Sequence, residues 1–319
     1  MLAVKVLQAQ NIEVTGICFV SNFFSDDKAR NAAIQLNIEL ITPDMGDDLL
    51  ELVKNPPSGY GKNMNPCLDC HAMMIRKAGR IAEEKGFDII ATGEVLGQRP
   101  FSQNKDALAR VQKLAGVEIL RPLCAKHLPE TKYEKDNKVI RGRLLAIQGR
   151  QRDEQMELAK KYGIKEYPSP AGGCLLTDPE FSKRLLELIE AWPDADNDDV
   201  ELIKNGRIYW LQSQDTETKT IVVIGRKESD NDNLEKLVKN GDIMLKLEEI
   251  PSPNVLIRSK KRLMTDIKTI NIYKNDIKLS ELGLNEDKNQ KETVEIAAKL
   301  LIHYSKKAPE RSTINIYQK

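Results

Sequence analysis

The stretch FDIIATGE, from Phe87 to Glu94, is a short apolar run that closes on a Thr-Gly turn. It reads as a strand ending in a turn. Before it, Leu68 to Lys85 places apolar residues at Met74, Ala78, Ile81 and Ala82, a helical stripe. After it, Ser102 is positioned to cap a helix running to Leu114, and VEILRPL (117–123) is a second strand. Further upstream, Leu2 to Gln10 reads as helix and EVTGICFV (13–20) as a buried strand. Asp26 to Gln35 reads as helix, Glu39 to Ile41 as extended chain, and Asp47 to Lys54 as a short helix. Short apolar strands alternating with amphipathic helices imply a parallel, doubly wound α/β sheet. Such sheets bind ligands beyond the carboxyl ends of their strands.

The chain has 319 residues, of which 40% are hydrophobic and 30% charged, the size of one large or two ordinary domains. Its 49 basic and 48 acidic residues leave a net charge of +1. A global basic field is therefore absent, and any nucleic-acid contact must use a local patch. Aromatic residues make up only 5%, which argues against extensive base-stacking platforms. No apolar run reaches the ~18 residues of a membrane span. No signal peptide is visible, and an odd number of cysteines points to a reducing cytoplasm.

The texture changes at WPDADNDD (192–199), an acidic, turn-rich run read as the boundary between a front domain of residues 1–192 and a back domain of residues 200–319. Beyond it, GRIYWLQ and KTIVVIGR look like strands of a hairpin or meander. DNLEKLVKNGD is a short helix, and IMLKLEE and NVLIRS are strands. Val294, Ala297, Leu301 and Tyr304 line a late helix, and a final TINIY alternates as a strand. This makes a smaller α+β domain. The stretch from Lys260 to Lys291 is polar, and no internal repeat is read.

The cysteines are Cys18, Cys67, Cys70, Cys124 and Cys174. Cys18 and Cys124 lie in or just after apolar strands and read as core. Cys67 and Cys70, in NPCLDCH, fall at the start of a helix, where orphan N–H groups favour thiolate. Cys174 follows two glycines in PAGGCLLTD, which suits presentation on a tight loop. The trio has three readings: a [4Fe–4S] cluster with one open iron, a persulfide relay, or zinc with His71 as fourth ligand. A fourth possibility is that the CxxC spacing is incidental.

NPCLDCH, ATGEVLGQRPFSQ, RGRLLAIQGRQRDEQMELAKKYGI and PSPAGGCLLTDPEF together resemble the tRNA thiouridine synthetases of the PP-loop, adenine-nucleotide α-hydrolase type. The similarity is to a branch like 4-thiouridine synthase and covers about residues 1–185. VVIGRKESDNDNLEKLV, GDIMLKL, SPNVLIR and AAKLLIHYSK resemble, more weakly, the RNA-binding domain of NFACT-type ribosome quality-control proteins. The resemblance implies ATP-dependent thiolation of uridine in tRNA, with magnesium and ATP as cofactors. By motif position, Cys67, Cys70 and Cys174 would be catalytic and would hold the cluster. It also places Thr92, Gly93 and Glu94 near the nucleotide. In the family, a Ser-Gly-Gly-x-Asp-Ser phosphate loop and its strand precede a helix matching MLAVKVLQAQ. This sequence starts at Met1 inside that helix. A sheet without that central strand is expected to expose two flanking edges, and ATP binding and turnover are expected to be poor. The alternative function is a non-catalytic RNA-binding protein with a vestigial, metal-stabilised front domain.

Basic residues complete the candidate set. Arg141, Arg143, Arg150 and Arg152 form a cluster suited to phosphate, with Arg143 assigned to ATP and Arg150 to RNA. In the back domain Arg226, Lys227, Arg258, Lys260 and Lys261 form a candidate patch for RNA phosphates.

Overall fold

The computed structural model describes residues 1–167, 173–213, 219–247, 250–261, 263, 265–284 and 286–319. It divides into two compact units, Met1–Pro179 and Glu180–Lys319. Among the described residues no helix is long and apolar enough to cross a membrane.

The first unit begins with α1 (Leu2–Gln8), β1 (Gly16–Ile17), α2 (Asp27–Leu36), β2 (Leu40–Ile41) and α3 (Gly46–Lys54). It continues with α4 (Cys67–Lys85), α5 (Lys105–Ala115), α6 (Lys132–Lys135) and α7 (Asp153–Lys161). The helices follow the apolar periodicity closely. α4 ends at Gly86 and α5 at Gly116, both left-handed, where a side chain would be strained. The α5 cap differs from expectation. Asn104, not Ser102, accepts from the Ala107 amide at 2.8 Å, because Ser102 is buried in the preceding loop. Among the described residues, two apolar clusters stand out. Val6, Leu7, Leu120, Leu144 and Ile147 form one, and Ala72, Ile75, Val111 and Ile119 the other.

Strand formation is much sparser than the sequence implies, and the described residues do not build a continuous doubly wound sheet. β1 and β2 pair in parallel over two residues. Beyond them stand single parallel bridges, Val20 with Asp44, Ala91 with Leu120, and Leu96 with Gln148. The backbone of Thr92 donates to Leu120 O and that of Leu120 to Ile90 O, so this pair is fastened from one side. EVTGICFV is not buried throughout. Ile17 is 38% exposed and Cys18 half-buried, whereas Cys124 is buried as its strand context implied. A parallel strand is stabilised by neighbours on both edges and helices on both faces. The 117–123 segment also accepts from the Leu145 and Ile147 amides at 2.9 Å, yet these contacts do not extend into longer ladders.

The second unit contains α8 (Pro179–Ala191, from Glu180 onward), α9 (Asn197–Leu202), β3 (Arg207–Ser213), β4 (Lys219–Ile224) and α10 (Glu228–Leu237). Then follow β5 (Ile243–Lys246), β6 (Val255–Ser259), β7 (Thr269–Tyr273), β8 (Asp287–Lys288), α11 (Gln290–Tyr304) and β9 (Arg311–Gln318). One seven-stranded, mostly antiparallel sheet runs in the order β7-β9-β5-β6-β4-β3-β8. The apolar face of α11 packs on it through Ala297, Leu300 and Leu301. TINIY occurs twice, at 269–273 and 313–317, and the two copies pair antiparallel, Ile270 opposite Ile314. The polar segment after Lys260 therefore contributes a strand, and a short repeat absent from the sequence reading builds one edge of the sheet.

The boundary lies at Pro179/Glu180, not across residues 192–200. Trp192 is buried edge-on against Trp210, 5.2 Å between ring centres, and its indole N–H donates to Lys219 O. The acidic run is no linker. Asp196 caps α9, and Asp199 is buried beneath Arg258. Gly206 turns the chain into β3 at φ +57°, and a Cβ there would lie 2.1 Å from Ile224 O.

Arg258 corrects the RNA-contact assignment. It is 4% exposed, bonded to Asp199 at 3.1 Å and to Asp242 at 2.8 Å. Lys260 joins the same group through Asp199 at 2.8 Å. A guanidinium so placed ties α9 to the sheet and offers nothing to a phosphate. Removing one partner of a buried pair strands the other's charge, at about 3–5 kcal/mol. Arg258→Ala is therefore expected to lower the urea-unfolding free energy of the second unit by about that amount. A loss within the ~0–1 kcal/mol of an exposed ion pair would contradict this assignment.

Candidate functional site

The site lies in the first unit and starts from the loop between α3 and α4. Proline and glycine prevent Asn55–Pro66 from forming regular structure, and side chains shape it instead. Ser58 donates from its backbone to Asp69 at 2.8 Å and from its hydroxyl at 2.6 Å. Arg110 adds a bond to the Ser58 hydroxyl at 2.9 Å. Asp69 stands between the two cysteines of CxxC, so these bonds fix the first turn of α4. Pro66 is the cap residue and Cys67 the first helical residue.

Cys174 reaches this turn from far along the chain. It caps a single 3-10 turn, Leu175–Thr177, that is clasped on both sides. The Leu175 amide donates to Phe23 O at 2.9 Å, and the Asn63 side-chain amide donates to Thr177 O at 2.8 Å. Asn63 adopts φ +54°, a conformation asparagine tolerates better than most residues. Of the two glycines ahead of Cys174, Gly172 lies outside the described residues, as do 168–171.

The three thiols stand within one another's electrostatic reach. Burial pushes Cys70 up to about 12, with Cys174, Cys67 and Asp69 adding to the rise. Burial raises Cys174 to about 11, opposed by the Leu176 backbone and supported by Cys67. Cys67 is raised by burial and drawn back by Arg99. The expected thiolate preference of a helix start is thus outweighed by desolvation. Among the described residues, no three or more His, Cys, Asp or Glu side chains group closely enough to hold one metal ion.

Cys67 and His71 are one helical turn apart on the same face of α4. His71 Nδ1 lies 3.8 Å from Glu94 Oε1. Burial lowers the imidazole pKa, Glu94 works against that, and Arg99 reinforces it. Glu94 is 8% exposed. Its Oε2 accepts from Arg121 Nε and from the Thr92 hydroxyl, each at 2.9 Å, while Oε1 is buried without a hydrogen-bond partner. Thr92 and Glu94 therefore form a carboxylate-centred network beside the thiols, and a carboxylate repels phosphate. Gly93 is exposed, with nothing near its missing Cβ.

The arginine cluster separates into two kinds. Arg141 is committed to Glu134 at 2.6 Å and to Leu128 O at 3.0 Å. Arg152 bonds Gln155 at 3.4 Å. Arg143 and Arg150 are exposed, as are Arg226 and Lys227 at the start of α10 in the second unit. Asn63 and Arg121 take part in the site but were not singled out from sequence, whereas Arg99 falls in the segment after Glu94 that the family resemblance places near the nucleotide. An asparagine in a Pro/Gly-rich loop is the one signal that pointed toward the clasp.

No curated protein matches the chain. Residues 26–130 match a family model described as Thiamine biosynthesis protein (ThiI). That span contains Cys67, Cys70, His71 and Glu94, so the part of the site built on α4 and the Glu94 network is the part similar to this family, while Cys174 lies beyond it.

Proposed function

We propose that the first unit thiolates uridine in tRNA by an ATP-dependent reaction, and that the second contributes RNA binding. The clasp that brings the Cys174 turn beside CxxC is the observation that carries this reading. It ties the turn that follows Cys174 to the loop ahead of Cys67 and Cys70, so that soft donors from distant parts of the chain lie in one desolvated region, as sulfur handling requires. The similarity of residues 26–130 to the ThiI family supports the same chemistry. ATP, with magnesium, transfers AMP to a uracil carbonyl oxygen and releases pyrophosphate. Sulfur then attacks that carbon, and AMP leaves with the original oxygen.

Cys67, Cys70 and Cys174 are the residues for the sulfur. Their donor chemistry fits an iron–sulfur cluster. Zinc needs four donors within about 2.0–2.3 Å of one centre, whereas a cluster takes each thiolate on a separate iron. A [4Fe–4S] cluster on three thiolates would supply an open Lewis-acidic iron for sulfide. Exposed Arg143 is available to ATP phosphate, and exposed Arg226 and Lys227 to RNA.

Anaerobically purified protein is expected to contain iron and acid-labile sulfide, and Cys174→Ala to lose most of both. A colourless, zinc-loaded wild type would defeat the cluster assignment. In a deletion strain complemented with each variant, Cys67→Ala, Cys70→Ala and Cys174→Ala should each cut thiouridine in tRNA by about 100-fold or more, the scale of losing a central reactive group. Nucleoside mass spectrometry reads this directly, and unchanged thiouridine in the deletion strain would remove the tRNA assignment. Asn63→Ala opens the clasp but keeps every thiol. It should lower thiouridine formation by up to about tenfold, the weight of one hydrogen bond.

A further inference from the structure

Phe101 is 93% exposed, more than any other large apolar side chain among the described residues. It does not hang on a loose segment. The Gly97 amide donates to Gln103 O at 2.7 Å and the Gln103 amide to Arg99 O at 2.8 Å. Asn104 Nδ2 holds Pro100 O at 2.8 Å, and Ser102 and Gln103 are buried. The loop is therefore closed at its base and clipped next to its tip, and the Phe101 ring stands in water at that tip.

The surroundings are basic and lie beside the thiols. Arg99, two residues before Phe101, acts electrostatically on both Cys67 and His71. The strand leading into the loop is fastened to residues 148–149, with the Gly149 amide on Leu96 O at 2.8 Å. Exposed Arg150 follows directly. Gln155 Oε1 accepts from both Gln98 and Arg152 at 3.4 Å, joining the loop to the arginine segment. Asp153 and Glu154 come next in α7, so the positive rim is local to residues 150–152.

We infer that Phe101 is a stacking platform for an unpaired RNA base, with Arg150 taking the adjoining phosphate. A planar apolar ring presented in water, on a loop hydrogen-bonded to an arginine-bearing segment, is an arrangement suited to single strands. A base must leave its duplex partner before it can stack on a side chain, so paired RNA is excluded. Because the loop is already ordered, little conformational entropy is lost on contact. The choice of RNA rests on the thiolation reading, in which the platform holds a nucleotide next to the uridine being modified.

The test uses the full chain, fluorescein-labelled single-stranded oligouridylate and an RNA duplex of equal length. Phe101→Ala should weaken single-strand binding, read by anisotropy, by about 5- to 100-fold. Phe101→Trp should retain the affinity, and its added tryptophan emission should be quenched by the single strand and not by the duplex. An unchanged affinity in Phe101→Ala, or an unquenched Phe101→Trp, overturns the inference, as does absence of any oligouridylate binding. Thiouridine in tRNA separates this from the broader reading. Stacking without any thiouridine sinks the thiolation reading and leaves the platform. Normal thiouridine with no Phe101 effect does the reverse.

Discussion

Two hydrogen bonds, from the Leu175 amide to Phe23 O and from the Asn63 side chain to Thr177 O, hold together what is otherwise a dispersed set of cysteines. Asn63 and Thr177 are 114 residues apart, so closing them costs chain entropy that no local preference repays. The return comes from the packed cores on either side, on which the clasp rides. Once it is made, burial makes all three thiols harder to ionise, and at Cys70 the neighbouring Cys174 and Cys67 add to the effect. That environment disfavours free thiolates.

Arginine plays two opposite parts in the chain, and burial separates them. Arg121 lies beneath the site and satisfies one oxygen of Glu94, while Arg258 lies within the second unit between Asp199 and Asp242. Both are internal ties, fully committed to carboxylates and backbone carbonyls. Arg143, Arg150 and Arg226 stand in water and keep their charge for a ligand. A count of basic residues along the sequence treats all of these alike. Only those left outside contribute to the surface potential.

The Glu94 network shows the same division at a single side chain. Oε2 is saturated by Arg121 and Thr92, whereas Oε1 is buried and empty, with His71 just beyond hydrogen-bond range. Leaving a buried polar oxygen without a donor costs about 1–3 kcal/mol. Such a cost is tolerated where neighbouring groups are placed for chemistry rather than for stability.

Helices were legible in the sequence because their signal is local: an apolar stripe, a capping side chain, a left-handed glycine at the end. α2, α4, α5 and α11 lie where periodicity placed them. The CxxC pair was legible for the same reason, since one helical turn sets its spacing. The second unit's strands were legible as apolar runs, and β3 to β6 and β9 lie where they were read. The first unit's were not, because an apolar run such as FDIIATGE becomes a ladder only with partners on its edges, and those partners are far away in sequence. The same non-local accounting turned the acidic run at Asp194–Asp199 from a linker into a capped helix over a buried arginine, and joined the two TINIY segments into one edge. The sequence by itself determined which residues carry sulfur and where the helices run. Tertiary structure alone decided which charges are buried, which aromatic ring faces water, and that Cys174 meets Cys67 and Cys70, because each depends on contacts between segments that no local preference encodes.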